Sequence, residues 1–272
     1  MTRKVLFAVL IAAILITSVM PAAAGAAVTK APEFNLENVS QGVVGVTANR
    51  TATTGLKVRI SHTASGQYRD YDLGLQGTEY YPLQLGNGAY TVSVFERTTG
   101  NSYRRIAGTS LELKLQDANQ VYLSSMQLVN WNSEMAVARK ARELTAGKTT
   151  DLEKVRAIHT YLVKNYKYDF NKAATVKSGY LPDVEKIDEM GLGICYDYSA
   201  VMAAMLRSLG IPAKLVKGYT TNFDGYHAWN EVLVEGRGWV TIDSTVDSYY
   251  AAYGRAYNMI KPAAQYNGTL QF

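Results

Sequence analysis

Between residues 41 and 125, apolar and polar positions alternate in short runs. Leu56-Lys57-Val58-Arg59-Ile60, Thr91-Val92-Ser93-Val94-Phe95 and Leu111-Glu112-Leu113-Lys114-Leu115 each send every second side chain to one face, the period of a half-buried strand. No long helical period interrupts them, and glycines recur between the runs. Asn87-Gly88 precedes the second run, and because both residues accept positive φ the pair predicts a hairpin turn. Short alternating strands with frequent Gly predict a small β-sandwich. His62 follows the first run without chemical neighbours and is expected at the surface.

The period changes near Ser133. Residues 134–145 and 151–166 read as helices, the second with Leu152, Val155, Ile158, Leu162 and Tyr166 at helical spacing and Asp151 in the first turn, where its charge suits the helix dipole. His159 lies on or beside that apolar stripe and is expected to be a satisfied core or edge histidine. A third helical pattern begins at Cys195, with Tyr198, Val201, Met202, Met205, Leu206 and Leu209 on one broad face, and Gly210 with Pro212 ends it. Strands are then predicted over 213–219, 227–234 and 239–243, with a Gly-containing loop over 220–226 and a tight turn at Glu235-Gly236-Arg237-Gly238. Helices followed by consecutive strands predict an α+β domain.

The N-terminus follows neither period. Arg3 and Lys4 precede an almost unbroken apolar run over 5–20, and Pro21-Ala22-Ala23-Ala24-Gly25-Ala26-Ala27 supplies small residues at its exit. This order reads as a secretory signal peptide over 1–27, and the run is somewhat short of the roughly 20 residues a spanning helix needs. The mature protein is therefore expected to be secreted or associated with the cell envelope. Membrane contact is expected only if this segment stays uncleaved. Net charge is +5 over 272 residues, with Lys and Arg scattered rather than striped, which gives no nucleic-acid footprint. No paired His, clustered Cys or acidic loop suggests a metal site, and no cofactor is implied.

One cysteine, Cys195, stands in the whole chain. It cannot form an internal disulfide, so in a secreted protein it is either an inert buried residue, a partner for another chain, or a thiol kept for its reactivity. Its position favours the last. Gly191 and Gly193 release the backbone just before it, and the helix N-terminus places partial positive charge beside the sulfur, which favours thiolate. The same unpaired N–H groups suit an oxyanion. Of the three histidines only His227 has a suitable context, because it begins one arm of the hairpin whose other arm ends at Asp243. A carboxylate accepting from one imidazole nitrogen would orient the other toward sulfur. Strand alternation makes this conditional. Pairing Val234 with Gly238 puts Asp243 opposite Trp229, on the His227 face, whereas pairing Val234 with Trp239 puts the two on opposite faces unless a bulge intervenes. The first register, or a bulge, is expected.

Gly193-Ile194-Cys195-Tyr196-Asp197-Tyr198-Ser199, Gly210-Ile211-Pro212-Ala213, Tyr226-His227-Ala228-Trp229-Asn230-Glu231-Val232 and Gly238-Trp239-Val240-Thr241-Ile242-Asp243 together resemble the core of the transglutaminase-like superfamily, in a secreted bacterial-type form. The resemblance implies an α+β, papain-like core in which a nucleophile helix packs on an antiparallel sheet. It also implies acyl transfer through a thioester, with Cys195 as nucleophile, His227 as base and acid, and Asp243 as orienter. Tyr168 is a candidate second oxyanion donor, with packing against the core as its expected role, and it stays outside the catalytic set. Trp239 is expected to fill core and Trp229 to wall the acyl groove, with Asp197, Asn230 and Glu231 as hydrogen-bonding supports.

The domain organisation expected is a signal peptide over 1–27, a linker over 28–40, a β-rich domain of unknown role over 41–125, and a catalytic domain over 130–272. The implied partner is a protein or peptide substrate, including cell-wall peptide, attacked at an amide by hydrolysis or by Gln–Lys crosslinking. The competing class is a non-catalytic cell-wall or protein-binding scaffold built on the same fold.

Overall fold

The computed structural model describes residues 30–50 and 55–272. The charged, apolar and small segment over 1–27 lies outside the described residues. The N-terminal region consists of β1 (Glu33–Asn35), β2 (Val43–Asn49), β3 (Leu56–His62), β4 (Tyr68–Leu73), β5 (Gln76–Pro82), β6 (Gly88–Arg97) and β7 (Tyr103–Leu113). They form two antiparallel sheets, β1-β2-β5 and β4-β3-β6-β7. The alternation in sequence is the alternation in space: along β3, Leu56, Val58 and Ile60 are buried while the intervening residues are not.

Three expectations fail in this region. The segment expected to be a linker contains β1, whose Phe34 pairs with Val46. Asn87-Gly88 forms no hairpin, since β5 and β6 belong to different sheets. Gly88 does adopt positive φ (131°), but Asn87 turns the crossing by exchanging two 2.8 Å hydrogen bonds with the backbone of Leu115. His62 is buried rather than exposed, with Nδ1 2.9 Å from Ser65 Oγ and Nε2 3.1 Å from the Asn87 carbonyl. It continues the inward face of β3, so the strand period was the better guide to its position.

The remaining elements are α1 (Ala136–Leu144), α2 (Asp151–Asn165), β8 (Lys167–Tyr168), α3 (Phe170–Thr175), α4 (Val184–Met190), β9 (Leu192–Gly193), α5 (Cys195–Ser208), β10 (Ala213–Thr220), β11 (Phe223–Val234), β12 (Gly238–Ile242), α6 (Ser244–Ala252), β13 (Ile260–Lys261) and β14 (Tyr266–Gln271). Thr150 caps α2 through a reciprocal pair with Glu153, which explains why that helix starts where its sequence suggests. An antiparallel sheet in the order β13-β12-β11-β10-β14 forms the platform. The sequence pattern predicts its three middle strands and misses both edges. β11 also begins at Phe223, so the expected loop over 220–226 shrinks to a short turn and His227 sits inside the strand.

Helix α5 is buried all round rather than along one face, with every residue from Tyr198 to Leu206 at 0–1 % exposure. A helix that is apolar on all sides belongs at the centre of a domain. Here the sheet covers one side and the other helices cover the rest. Burying each large apolar side chain contributes roughly 1.5–3 kcal/mol, so α5 is a firmly held element. Its one buried cation, Arg207, donates to the carbonyls of Ala213, Ser124 and Phe272 at 2.8–3.0 Å. Those bonds tie α5 to the segment leaving the sandwich and to the end of β14. Tyr122 meets Trp239 edge-on at 5.5 Å across the same seam. Among the described residues no helix is long and apolar enough to cross a membrane.

Candidate active site

Cys195 opens α5. Ile194, at the N-cap, has no side chain able to accept a hydrogen bond, so Asp197 takes over that work from the third helical position. One of its oxygens accepts the Ile194 N–H at 2.9 Å and the Lys172 ammonium at 2.6 Å, and the other accepts the Tyr180 hydroxyl at 2.7 Å. Asp197 is fully buried and satisfied, the supporting role its position suggests. Gly193 is needed for this packing, because a Cβ there would lie 2.6 Å from that of Asp197. The N–H of Cys195, in the first turn, has no intrahelical acceptor and remains available to an oxyanion.

His227 comes from β11 and Asp243 from the end of β12. The observed register pairs Val234 with Gly238 and Asn230 with Ile242, which carries Asp243 opposite Trp229 as the first of the two registers requires. His227 Nε2 lies 2.9 Å from Asp243 Oδ2. Asp243 is fully buried and serves three partners. Its Oδ1 accepts the Val246 N–H and so caps α6, while Oδ2 also accepts the Tyr266 hydroxyl at 3.0 Å. A carboxylate used as a helix cap is fixed in direction before it meets the imidazole.

With Nε2 engaged, Nδ1 of His227 is buried with no hydrogen-bond partner among the described residues. Cys195 stands close enough to act on the ring by hydrogen bonding and by charge, although the contact falls short of full hydrogen-bond geometry. Burial alone would lower the His227 pKa. The Asp243 hydrogen bond, the Cys195 contact and the charges of both more than offset it and raise it to about 9. The ring is clamped from both sides, stacked on Phe223 at 4.6 Å and on Trp229 at 6.3 Å. Gly218 pairs with His227 across β10 and has no room for a Cβ, which would meet the Asn267 carbonyl.

One tryptophan expectation fails, and the other, Trp239 against the core, holds in part. Trp229 shares the face of His227 but is 1 % exposed, so it packs behind the imidazole and does not wall a groove. Trp239 is half-buried at the seam with the sandwich, under the Lys214 ammonium at 4.1 Å. Asn230 is a buried support, donating to the carbonyls of Ser199 and Lys214 and so joining α5 to the sheet. Glu231 meets Lys214 at 3.0 Å.

Three residues around Cys195, His227 and Asp243 escape sequence reasoning or gain a different place. Tyr168 pairs with Gly193 through the parallel β8–β9 bridge and feels the Cys195 charge, while burial pushes its pKa up to about 12. It is half-buried against the exposed Phe170, outside the core where packing was expected to hold it. Lys217, on β10, lies 3.4 Å from the Tyr196 ring centroid. Burial lowers its pKa to about 8, partly opposed by the charge of Cys195. Tyr266 reaches Asp243 from β14. No periodicity signals these residues, because each is delivered by strand pairing at long range.

The site thus sets a buried imidazole between a carboxylate and a thiol at a helix start. Residues 138–244 match the profile of the transglutaminase-like superfamily, so this segment is a transglutaminase-like domain. The chain is 32% identical over 126 residues to the YebA protein of Bacillus subtilis (strain 168), covering 39% of this chain and 17% of that one. It is 28% identical over 167 residues to the human kyphoscoliosis peptidase, covering 55% of this chain and 24% of that one. The chain thus spans less than a quarter of the length of either relative. Among solved structures, the periplasmic domain of TgpA from Pseudomonas aeruginosa overlays with a TM-score of 0.39 at 16% identity, covering 73% of this chain and 91% of that one.

Proposed function

We propose that the protein is a thiol acyl-transfer enzyme acting on amide bonds of peptides or proteins, with Cys195, His227 and Asp243 as its triad. The observation that carries the reading is the unpartnered Nδ1 of His227, buried beside Cys195 while Nε2 is held by Asp243. In the reaction, the proton of Cys195 already rests on Nδ1 of His227, and the Sγ thiolate attacks the amide carbonyl carbon. The oxyanion is held by the N–H of Cys195, with the Tyr168 hydroxyl as a second donor. Collapse expels the amine, which takes the proton from His227 and leaves a thioester. Water activated by His227 then releases the acid, or an amine captures the acyl group. Hydrolysis is the favoured outcome, supported by the likeness to a protein named a peptidase. A raised His227 pKa fits this chemistry, because an imidazolium at neutral pH stabilises a thiolate partner. The N-terminal charge and apolar pattern supports secretion, with peptides of the cell envelope among the substrates.

Iodoacetamide tests the centre directly. At pH 6 Cys195 is expected to alkylate ~10-fold or more faster than a free thiol of ordinary pKa, and His227→Ala to abolish the difference. Slow alkylation of the unmodified protein overturns the proposal. Mass spectrometry of the protein with candidate amides then reads the acyl group on Cys195 and whether water or amine removes it.

A further inference from the structure

A cleft of about 390 Å³ opens beside the triad, within the size range of small-ligand sites, roughly 300–1,000 Å³. Each of its walls adjoins one member of the catalytic group. Phe223 lines it and stacks on the His227 ring at 4.6 Å. Tyr168 lines it and is pinned to Gly193, two residues before Cys195. Val246 lines it and donates its N–H to Asp243. A ligand in this space therefore lies against residues that touch His227 and Asp243 or pair with the strand leading to Cys195.

The surfaces are mostly aromatic. Phe170 and Tyr249 stand 69% and 48% exposed at the mouth. Both also line an adjoining recess of about 410 Å³ that runs to Tyr253, so the two spaces meet along a shared aromatic wall and form one groove. Exposed aromatic surface grouped around a catalytic centre is surface that a ligand covers.

Two polar features give the groove a direction. Arg255 lines the cleft just beyond α6, forms no ion pair among the described residues, and lies over the Tyr250 ring at 4.5 Å. A stacked guanidinium is partly ordered before it binds and prefers a carboxylate. Nearby, Thr245 is 5% exposed and its hydroxyl has no hydrogen-bond partner among the described residues. Asp224 enters from β11 on another wall and does not pair with Arg255, so anionic ligand groups are drawn to the α6 side and repelled from the β11 side.

We propose that this cleft is the acyl-donor subsite and selects peptides with an aromatic or large apolar residue beside the scissile amide and a carboxylate, one or two residues before it, that reaches Arg255. This rests on the thioester chemistry proposed above, and the test separates the two. Peptidyl chloromethyl ketones carrying Phe or Ala next to the warhead, with Asp or Asn at the preceding one or two positions, are allowed to alkylate Cys195. Intact mass is followed with time, and each rate is divided by the iodoacetamide rate of the same variant.

Phe is expected to exceed Ala by ~10-fold or more, and Asp to exceed Asn by about 5-fold. Arg255→Gln should bring the Asp/Asn ratio to one while the Phe/Ala ratio persists. Equal rates for Phe and Ala overturn the proposal. So does an Asp preference that is absent in the unmodified protein or that survives Arg255→Gln. Slow iodoacetamide alkylation of the unmodified protein sinks both proposals. Fast iodoacetamide alkylation without discrimination among the peptidyl probes sinks this one alone.

Discussion

His159 and His227 each place Nε2 2.9 Å from an oxygen of a fully buried aspartate, and the two carboxylates, Asp247 and Asp243, lie one helical turn apart along α6 and its cap. The pairs differ in what surrounds them. Around Asp247 the second oxygen meets the Lys261 ammonium, which also donates to the Asn258 carbonyl, so α2, α6 and β13 are tied into a closed polar cluster. Around Asp243 the second oxygen caps α6, and the far nitrogen of His227 is left open beside a thiol. The first arrangement can only hold elements together. The second keeps one polar atom unsatisfied, at a cost in stability, next to the chain's sole cysteine. A His–Asp distance by itself distinguishes nothing; what stands around the pair does, a lysine on Asp247 in one case and a thiol beside His227 in the other.

Substitutions that separate the pairs test this contrast. The largest effect is expected from His227→Gln, a fall of about 10³–10⁴ in kcat/KM on a peptide amide. His159→Gln should leave kcat/KM within about twofold while shifting the denaturation midpoint downward, and comparable losses from both would erase the distinction. Next in size, Asp247→Ala leaves His159 and Lys261 buried without their carboxylate and should cost about 3–5 kcal/mol in urea unfolding. Iodoacetamide reactivity at Cys195 measured below the transition should persist.

The pH dependence is smaller and has a definite sign. His227 titrates higher in the folded chain, near pH 9 against 6.5 ordinarily, so its stabilising contribution is complete below 6.5 and is lost as pH rises through 9. Between pH 6.5 and 8 the loss should be on the order of 2 kcal/mol, and Cys195→Ala should reduce it by removing one source of the raised value. Above about pH 8 the lowered pKa of Lys217 acts in the opposite sense, because the unfolded chain then holds the extra proton, so the lower window is the one to measure. The smallest effect is expected from Tyr266→Phe, which removes one donor to Asp243 without touching the pair. A 2–10-fold fall in kcat with KM unchanged, matching about 0.5–1.5 kcal/mol for one hydrogen bond, would mark Tyr266 as a positioning residue. A stability loss with unchanged kcat would assign it to folding alone.

Much of the candidate site was legible because its signals are short-range. The helix starting at Cys195 follows from two glycines, an apolar periodic run and the Gly210–Pro212 stop. The His227–Asp243 register follows from a tight turn and strand alternation, both settled within a score of residues. The supporting shell was not legible. Asn87-Gly88 carries the local chemistry of a hairpin, but its two flanking strands are claimed by different sheets. The Trp229 position in the strand gave its face correctly, yet its burial depends on Tyr266 packing over it at 5.1 Å from a strand that no pattern announced.

Sequence alone determined which atoms could do chemistry here: a single sulfur at a helix mouth, and an imidazole and a carboxylate at one end of a hairpin, all set by residue type and local period. Only the tertiary structure decided what these atoms face. The Tyr266 hydroxyl on Asp243, Tyr168 and Lys217 near the sulfur, and the lysine that closes the second His–Asp pair all arrive through strand pairing and helix packing. Those contacts join residues far apart in the chain, and their free energy depends on burial, which no local window of sequence contains.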